Sequence, residues 1–209
     1  MSSTHTASLT SLPLRTPFVG AIDHRFIIGA SPDIESDQLD KQLTLRVDVD
    51  NGPLKAEVHL AGKDNVQQPS RARLRLGSKN GPVTVKVTAA HNFPERRPFT
   101  LAAYTCNGPI AVLLPRDFRG PLHLTTFWGS GRLSDAVSQA VSLFGDSGNG
   151  ATRTYFVGNC EDYMAGGAAA WAGDEALAAT SSGSVAVLYS DEGSVKDDFT
   201  LSPGIQPPW

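Results

Sequence analysis

Leu74-Arg75-Leu76-Gly77-Ser78-Lys79-Asn80-Gly81-Pro82-Val83-Thr84-Val85-Lys86-Val87 holds the pattern on which the fold turns. Apolar and polar residues alternate on both sides of Asn80-Gly81-Pro82, the period of a strand with one buried face. The same triplet stands at Asn51-Gly52-Pro53 and Asn107-Gly108-Pro109, 29 residues before and 27 residues after it. Leu43, Leu45, Val47 and Val49 lead into the first copy, and Leu54, Val58 and Leu60 lead away. Phe99, Leu101 and Ala103 lead into the third, and Ile110, Val112 and Leu114 follow it. A recurrence of this length marks a repeated supersecondary unit.

Two geometries fit the triplet. In a tight type I′ hairpin, Leu76 would face Val85, Leu45 would face Val58 and Ala103 would face Val112, so apolar residues meet throughout. Such a turn needs the N–H of the residue after glycine, and proline at 53, 82 and 109 has none. A corner removes the conflict: Asn-Gly bends the chain, proline ends one strand, and the next strand pairs with its counterpart in the neighbouring repeat. The repeated loss of the donor favours the corner. The expected fold is therefore all-β, a short β-solenoid or two-sheet sandwich of Asn-Gly-cornered strands.

Further elements extend the pattern. Gly120-Pro121 opens another strand that ends near Phe127-Trp128. Leu177–Thr180, Ser182-Gly183 and Val185, Val187 and Tyr189 read as a degenerate terminal copy whose upstream apolar phase slips by one. Leu133, Ala136, Val137, Ala140, Val141 and Phe144 follow helical spacing and predict one helical insertion at about 132–144, with Ser130 or Ser134 as N-cap and Gly145 as C-cap. Tyr155-Phe156-Val157 reads as a strand, and 146–150 and 165–170 read as loops. Residues 1–20 and 202–209 are expected to be tails around a single β domain at 21–201.

Composition narrows the function classes. The chain has 209 residues, 40% of them hydrophobic and 19% charged, with a net charge of −3. That suits one domain with a sizeable core and disfavours nucleic-acid binding through bulk charge. No apolar run is long enough for a membrane helix, and Met1–Pro17 lacks the pattern of a secretory signal, so a cytoplasmic location is expected. Two cysteines, Cys106 and Cys160, leave their pairing open.

Taken together, Ser78-Lys79-Asn80-Gly81-Pro82, Asn107-Gly108-Pro109-Ile110, Leu114-Pro115-Arg116-Asp117-Phe118-Arg119-Gly120, Phe156-Val157-Gly158, Trp171-Ala172-Gly173-Asp174-Glu175, Ser182-Gly183 and Asp191-Glu192 carry a likeness. Over about residues 40–195 the chain resembles a family of fungal, largely mushroom, proteins known as a domain of unknown function. It is also distantly similar to bacterial adhesin-type β-solenoid domains. The resemblance implies an all-β fold and brings no catalytic residue. The chain departs from the family at Ser182-Gly183, where Asn-Gly would stand, and in the Ala-rich Gly166–Ala170.

Motifs for specific chemistry are weak. Gly129-Ser130-Gly131-Arg132-Leu133-Ser134 lacks the third glycine of a dinucleotide loop and reads as a strand-to-helix connection. Asp48-Val49-Asp50-Asn51-Gly52 begins like a calcium loop, but Gly52 and His59 fall where acids belong. The histidines, His5, His24, His59, His91 and His123, are isolated, so neither a metal nor a cofactor is expected. Between Arg71 and Arg97 stand seven basic residues and one acid, whereas Asp174–Asp198 carries six acids and one lysine. Arg71, Arg73 and Arg75 share one strand face, either as an anion-binding stripe or as a solvated face that discourages aggregation. Phe127, Trp128, Tyr155, Phe156, Tyr163 and Trp171 read chiefly as cover over the open end of a sheet.

The leading expectation is a non-catalytic binding or scaffolding domain. The alternative is a carbohydrate- or polyanion-binding protein using Arg71, Arg73, Arg75, Trp128 and Trp171, with a glycan, polyanion or protein partner. A further alternative is an enzyme whose site the fold assembles from Cys106, His123, Asp117 and Asp174. Uncapped solenoid ends would also permit a homo-oligomer through strand pairing.

Overall fold

A computed structural model of the chain describes residues 7–8, 13–15, 22–28, 45–61, 71–89, 96–146 and 151–192. Strands β1 (Ala7–Ser8), β2 (Pro13–Arg15), β3 (Ile22–Ile28), β4 (Leu45–Asn51), β5 (Leu54–Leu60), β6 (Ala72–Asn80), β7 (Val83–Ala89), β8 (Phe99–Asn107) and β9 (Ile110–Leu114) alternate between two sheets. Most of the expected tails, and Leu43, lie outside the described residues.

The corner is the geometry adopted. β4 pairs in parallel with β6, and β6 with β8, while β5 pairs with β7, and β7 with β9. Leu76 therefore stands beside Val47 and Ala103, and the hairpin partnership with Val85 is overturned. Each coil lays one strand in each sheet, and the inward-facing leucines and valines form one continuous core between them. Such a stack is a short two-sheet β-solenoid.

The corners stack as well. Gly52 and Gly81 donate N–H bonds to the carbonyls of Asn80 and Asn107 at 2.8 and 2.9 Å. Leu54 and Val83 donate to Pro82 and Pro109 at 2.9 and 3.0 Å. The ladder takes donors from the residues on either side of proline, so its missing N–H removes no bond. Carboxamides form a second ladder, Asn80 to Asn51 and Asn107 to Asn80, each 2.8 Å. A third row is hydroxylic: Ser78, Thr105 and Thr180 donate to the carbonyls of Gly52, Gly81 and Gly108 at 2.9–3.0 Å. At Gly108, where φ is 156°, a Cβ would collide with the Gly81 carbonyl oxygen, so the stacking requires glycine.

Beyond β9 the order changes. Pro115–Arg119 carries the chain past one position to β10 (Gly120–Trp128) and β11 (Gly131–Leu133). The vacancy is filled from further along the sequence by β14 (Glu175–Ser182) and β15 (Val185–Tyr189). β14 lies parallel between β8 and β10, and β15 between β9 and β11. The degenerate copy is thus an interior coil, not a terminal one. Its phase does not slip: Ala176, Ala178 and Thr180 face inward, and Leu177 faces out.

The helical segment is shorter than its spacing suggests. α1 covers Asp135–Gln139, with Ser134 Oγ accepting the Val137 N–H at 3.2 Å. Ala140 is the C-cap, and Gly145 lies in β12 (Val141–Asp146), which pairs antiparallel with β13 (Thr152–Val157). The β-branched and aromatic residues of 141–144 go to the sheet, with Phe144 resting on Tyr155 at 5.1 Å. The expected loop at 165–170 is instead part of α2 (Glu161–Ala170), helical by its alanines and kinked at Gly167, where φ is 70°.

Candidate functional site

The structure separates two regions. The first lies where the chain passes over a position in the stack. Arg96, just before β8, is buried with Asp174, just before β14. Arg96 Nη1 and Nη2 meet the two carboxylate oxygens of Asp174 at 2.8 and 2.6 Å, and Nε meets Asp117 at 2.9 Å. Asp174 also accepts the Phe99 and Arg119 backbone N–H groups at 3.1 and 3.3 Å. The guanidinium lies 5.1 Å from the Phe99 ring centre. Burial alone would lower the pKa of Arg96, but the bonds and charge of Asp174, and then of Asp117, outweigh it and raise the pKa.

Around this pair an open cleft of about 280 Å³ is lined by Pro98, Asp117, Arg119, Trp171 and Gly173. Trp171 Nε1 donates to the Asp174 carbonyl at 2.8 Å, and its ring packs on Phe156 and Tyr163 at 5.4 and 5.8 Å. Arg119 bonds the Asn159 carbonyl and Asp162, both at 2.9 Å. The cleft's polar groups are therefore turned on one another and hold four chain segments together. No spacing in the sequence announces Arg96 and Asp174, which are 78 residues apart.

The expected residues divide accordingly. Arg71 is brought to Trp171: it donates to the Trp171 carbonyl and, at 3.4 Å, to Glu175 and Thr100. Arg73 and Arg75 are exposed on the outer face of the second sheet, and Arg75 lies 4.9 Å from the ring centre of Tyr104. The basic surplus of 71–97 is spread over several surfaces, since Arg96 is buried and Lys86 meets Glu57 at 3.7 Å on the other sheet. Asp117 and Asp174 converge, but Cys106 lies seven residues beyond Phe99 on the same strand, about 23 Å away. His123 bonds Thr154 at 3.0 Å on the outer face. The four do not form one site. Both cysteines are free. Among the described residues no group of three or more His, Cys, Asp or Glu is placed to hold a metal ion.

The second region is the corner edge. Backbone register aligns Asn51, Asn80, Asn107, Ser182 and Trp128 in one row across five coils. Phe127 and Trp128 are 65% and 83% exposed, whereas Phe156, Tyr163 and Trp171 cover the sheet as one cluster. The aromatic residues of the second half thus have two roles, and only the cluster fits the expectation of cover.

Fold and surface together define a mainly parallel β-solenoid with an aromatic-headed edge. The chain belongs to the family of the domain of unknown function DUF7330, which matches residues 21–192. No curated protein sequence matches it. Among solved structures, it is similar to one described as a "putative cell adhesion protein" from Clostridium sporogenes ATCC 15579, with a TM-score of 0.38 and 12% identity, covering 76% of this chain and 68% of that one. Among the described residues no helix is long and apolar enough to cross a membrane.

Proposed function

We propose that this domain is a non-catalytic binding module that presents its corner edge, headed by Trp128, to a partner molecule. One observation carries the reading: Trp128, 83% exposed, stands opposite Ser182 of β14 at the end of a strand that β13 also pairs as far as Thr125. Burying a side chain of this size in a complex contributes about 2 kcal/mol or more, and a rigid strand presents it at little conformational cost. The arginine strand supports polyanion binding less well, because Arg71 is engaged with Trp171 and Glu175 and Arg75 rests on Tyr104.

Glycan and phospholipid arrays probed at low and high salt test the proposal with the wild type, Trp128→Ala and Arg73→Glu. A ligand held at both salt concentrations, lost with Trp128→Ala and kept with Arg73→Glu, is the expected result. Binding that disappears in high salt and with Arg73→Glu would transfer the function to the arginine strand.

A further inference from the structure

Resting on that reading, we propose that the corner edge binds a neutral saccharide chain. The chain stacks a sugar ring on Trp128 and runs along the row Ser182, Asn107, Asn80 and Asn51. The first support is charge. The five corners are Asn51-Gly52-Pro53, Asn80-Gly81-Pro82, Asn107-Gly108-Pro109, Ser182-Gly183-Ser184 and Trp128-Gly129-Ser130, and none contains an ionisable side chain. In the neighbouring row Asp50 and Lys79 carry opposite charges, beside Cys106, Ser181 and Phe127. A polyanion finds no cationic track here.

Hydrogen-bonding chemistry supplies the second support. A carboxamide has two N–H donors and an oxygen with two lone pairs. The ladder uses one donor each of Asn80 and Asn107 and one lone pair each of Asn51 and Asn80. The remaining donors and acceptors, on exposed residues, suit hydroxyl groups, which both donate and accept. Between adjacent coils the corner backbone is already paired, so an extended peptide laid along the row would gain no β-ladder. Insertion of the edge into a lipid layer would bury the amides without partners, at a cost of ~2 kcal/mol or more for each. A saccharide keeps them bonded while covering the tryptophan.

Periodicity is the third support. Successive coils are about 4.8 Å apart, so the row from Trp128 to Asn51 spans about 19 Å. A linear polymer of repeating polar units can meet several of these positions in turn, and affinity should rise with chain length up to that span.

Affinity electrophoresis in gels containing neutral polysaccharides (glucans, mannans, galactans and xylans) tests the inference, with heparin and phosphatidylcholine or phosphatidylserine vesicles as controls. At least one neutral polymer should retard the wild-type chain equally at low and high salt. Trp128→Ala should weaken that binding about thirtyfold, and Asn80→Ala about fivefold. Oligosaccharides of the same polymer should bind more tightly with length. If no neutral polysaccharide binds, while heparin or vesicles bind in a Trp128-dependent way, the saccharide inference is overturned and the binding-module reading survives. If no probe depends on Trp128, both fall.

Discussion

The corner edge and the crossing at Pro115–Arg119 solve one problem in opposite ways. At the corners the chain satisfies its polar groups by translation: an amide meets the next amide, a hydroxyl meets a glycine carbonyl, and each glycine makes room for the coil beside it. No charge is needed. At the crossing nothing repeats, because the chain passes over a position that β14 and β15 later fill. Single pairs hold that coil in place: Arg96 with Asp174 at one end, and at the other Arg116 with Asp191 at 2.9 Å and Glu192 with Ser134 at 2.7 Å. Regular stacking is robust where neighbours are alike, whereas an inserted coil depends on side chains specific to it.

The most severe break in this comparison is Asp174→Ala. It leaves the Arg96 guanidinium buried without its main partner and should cost ~3–5 kcal/mol, read from the denaturant midpoint. The double variant Arg96→Met/Asp174→Leu removes both charges and should recover much of the loss. A double variant as unstable as the single one would show that the pair's geometry matters beyond charge compensation. Gly108→Ala tests the repetitive side. Its Cβ would be driven into the carbonyl of Gly81 at a φ of 156°, a cost on the order of 3 kcal/mol. Gly145→Ala, with nothing within 4 Å of the new Cβ, should be close to neutral.

The same contrast explains what the sequence discloses. Asn-Gly-Pro and the alternating runs around it reveal the corners and the inward faces, because both follow local periods of backbone and burial. The missing proline donor correctly favours the corner over the hairpin. The position of the last coil is not local: nothing in Leu177–Tyr189 states that it enters between β8 and β10. Helical spacing across 141–144 misleads because Val141 and Phe144, three residues apart, share a face only in a helix, whereas pairing with β13, with a register shift between Val141 and Leu143, places both in a strand. Trp128 was visible as an aromatic residue, but its exposure follows from its register beside Ser182. The hydroxyls of Ser78, Thr105 and Thr180, each two residues before a corner, were also readable. Their role becomes clear only when the coils are stacked.

That hydroxyl row allows a milder test. Thr105→Val keeps the shape of the side chain and removes its 3.0 Å bond to the Gly81 carbonyl, so a loss of about 1 kcal/mol is expected. Val49 occupies the same row in an earlier coil and shows that the position accepts the valine shape. An unchanged midpoint would mean that the backbone ladder alone satisfies the corner.

The smallest effect lies on the outer face of the first sheet, where charges stack in register without being buried like the crossing pair. Arg25 bonds Glu57 at 3.0 Å, with Lys86 at 3.7 Å and His59 at 3.6 Å from the same carboxylate. Partial burial pushes the Glu57 pKa up, but the Arg25 hydrogen bond and charge, followed by His59 and Lys86, hold it below the ordinary value of 4.5. A carboxylate with a lowered folded pKa stabilises the fold fully above its unfolded value and loses that contribution as pH falls through the folded value. Wild type and Glu57→Gln should therefore differ by less than about 1 kcal/mol at neutral pH and converge below pH 4.5. High salt should shrink the difference further. A gap that persists in acid would place the effect of Glu57 in packing rather than charge, and so remove the distinction drawn between this solvated ladder and the buried pair at the crossing.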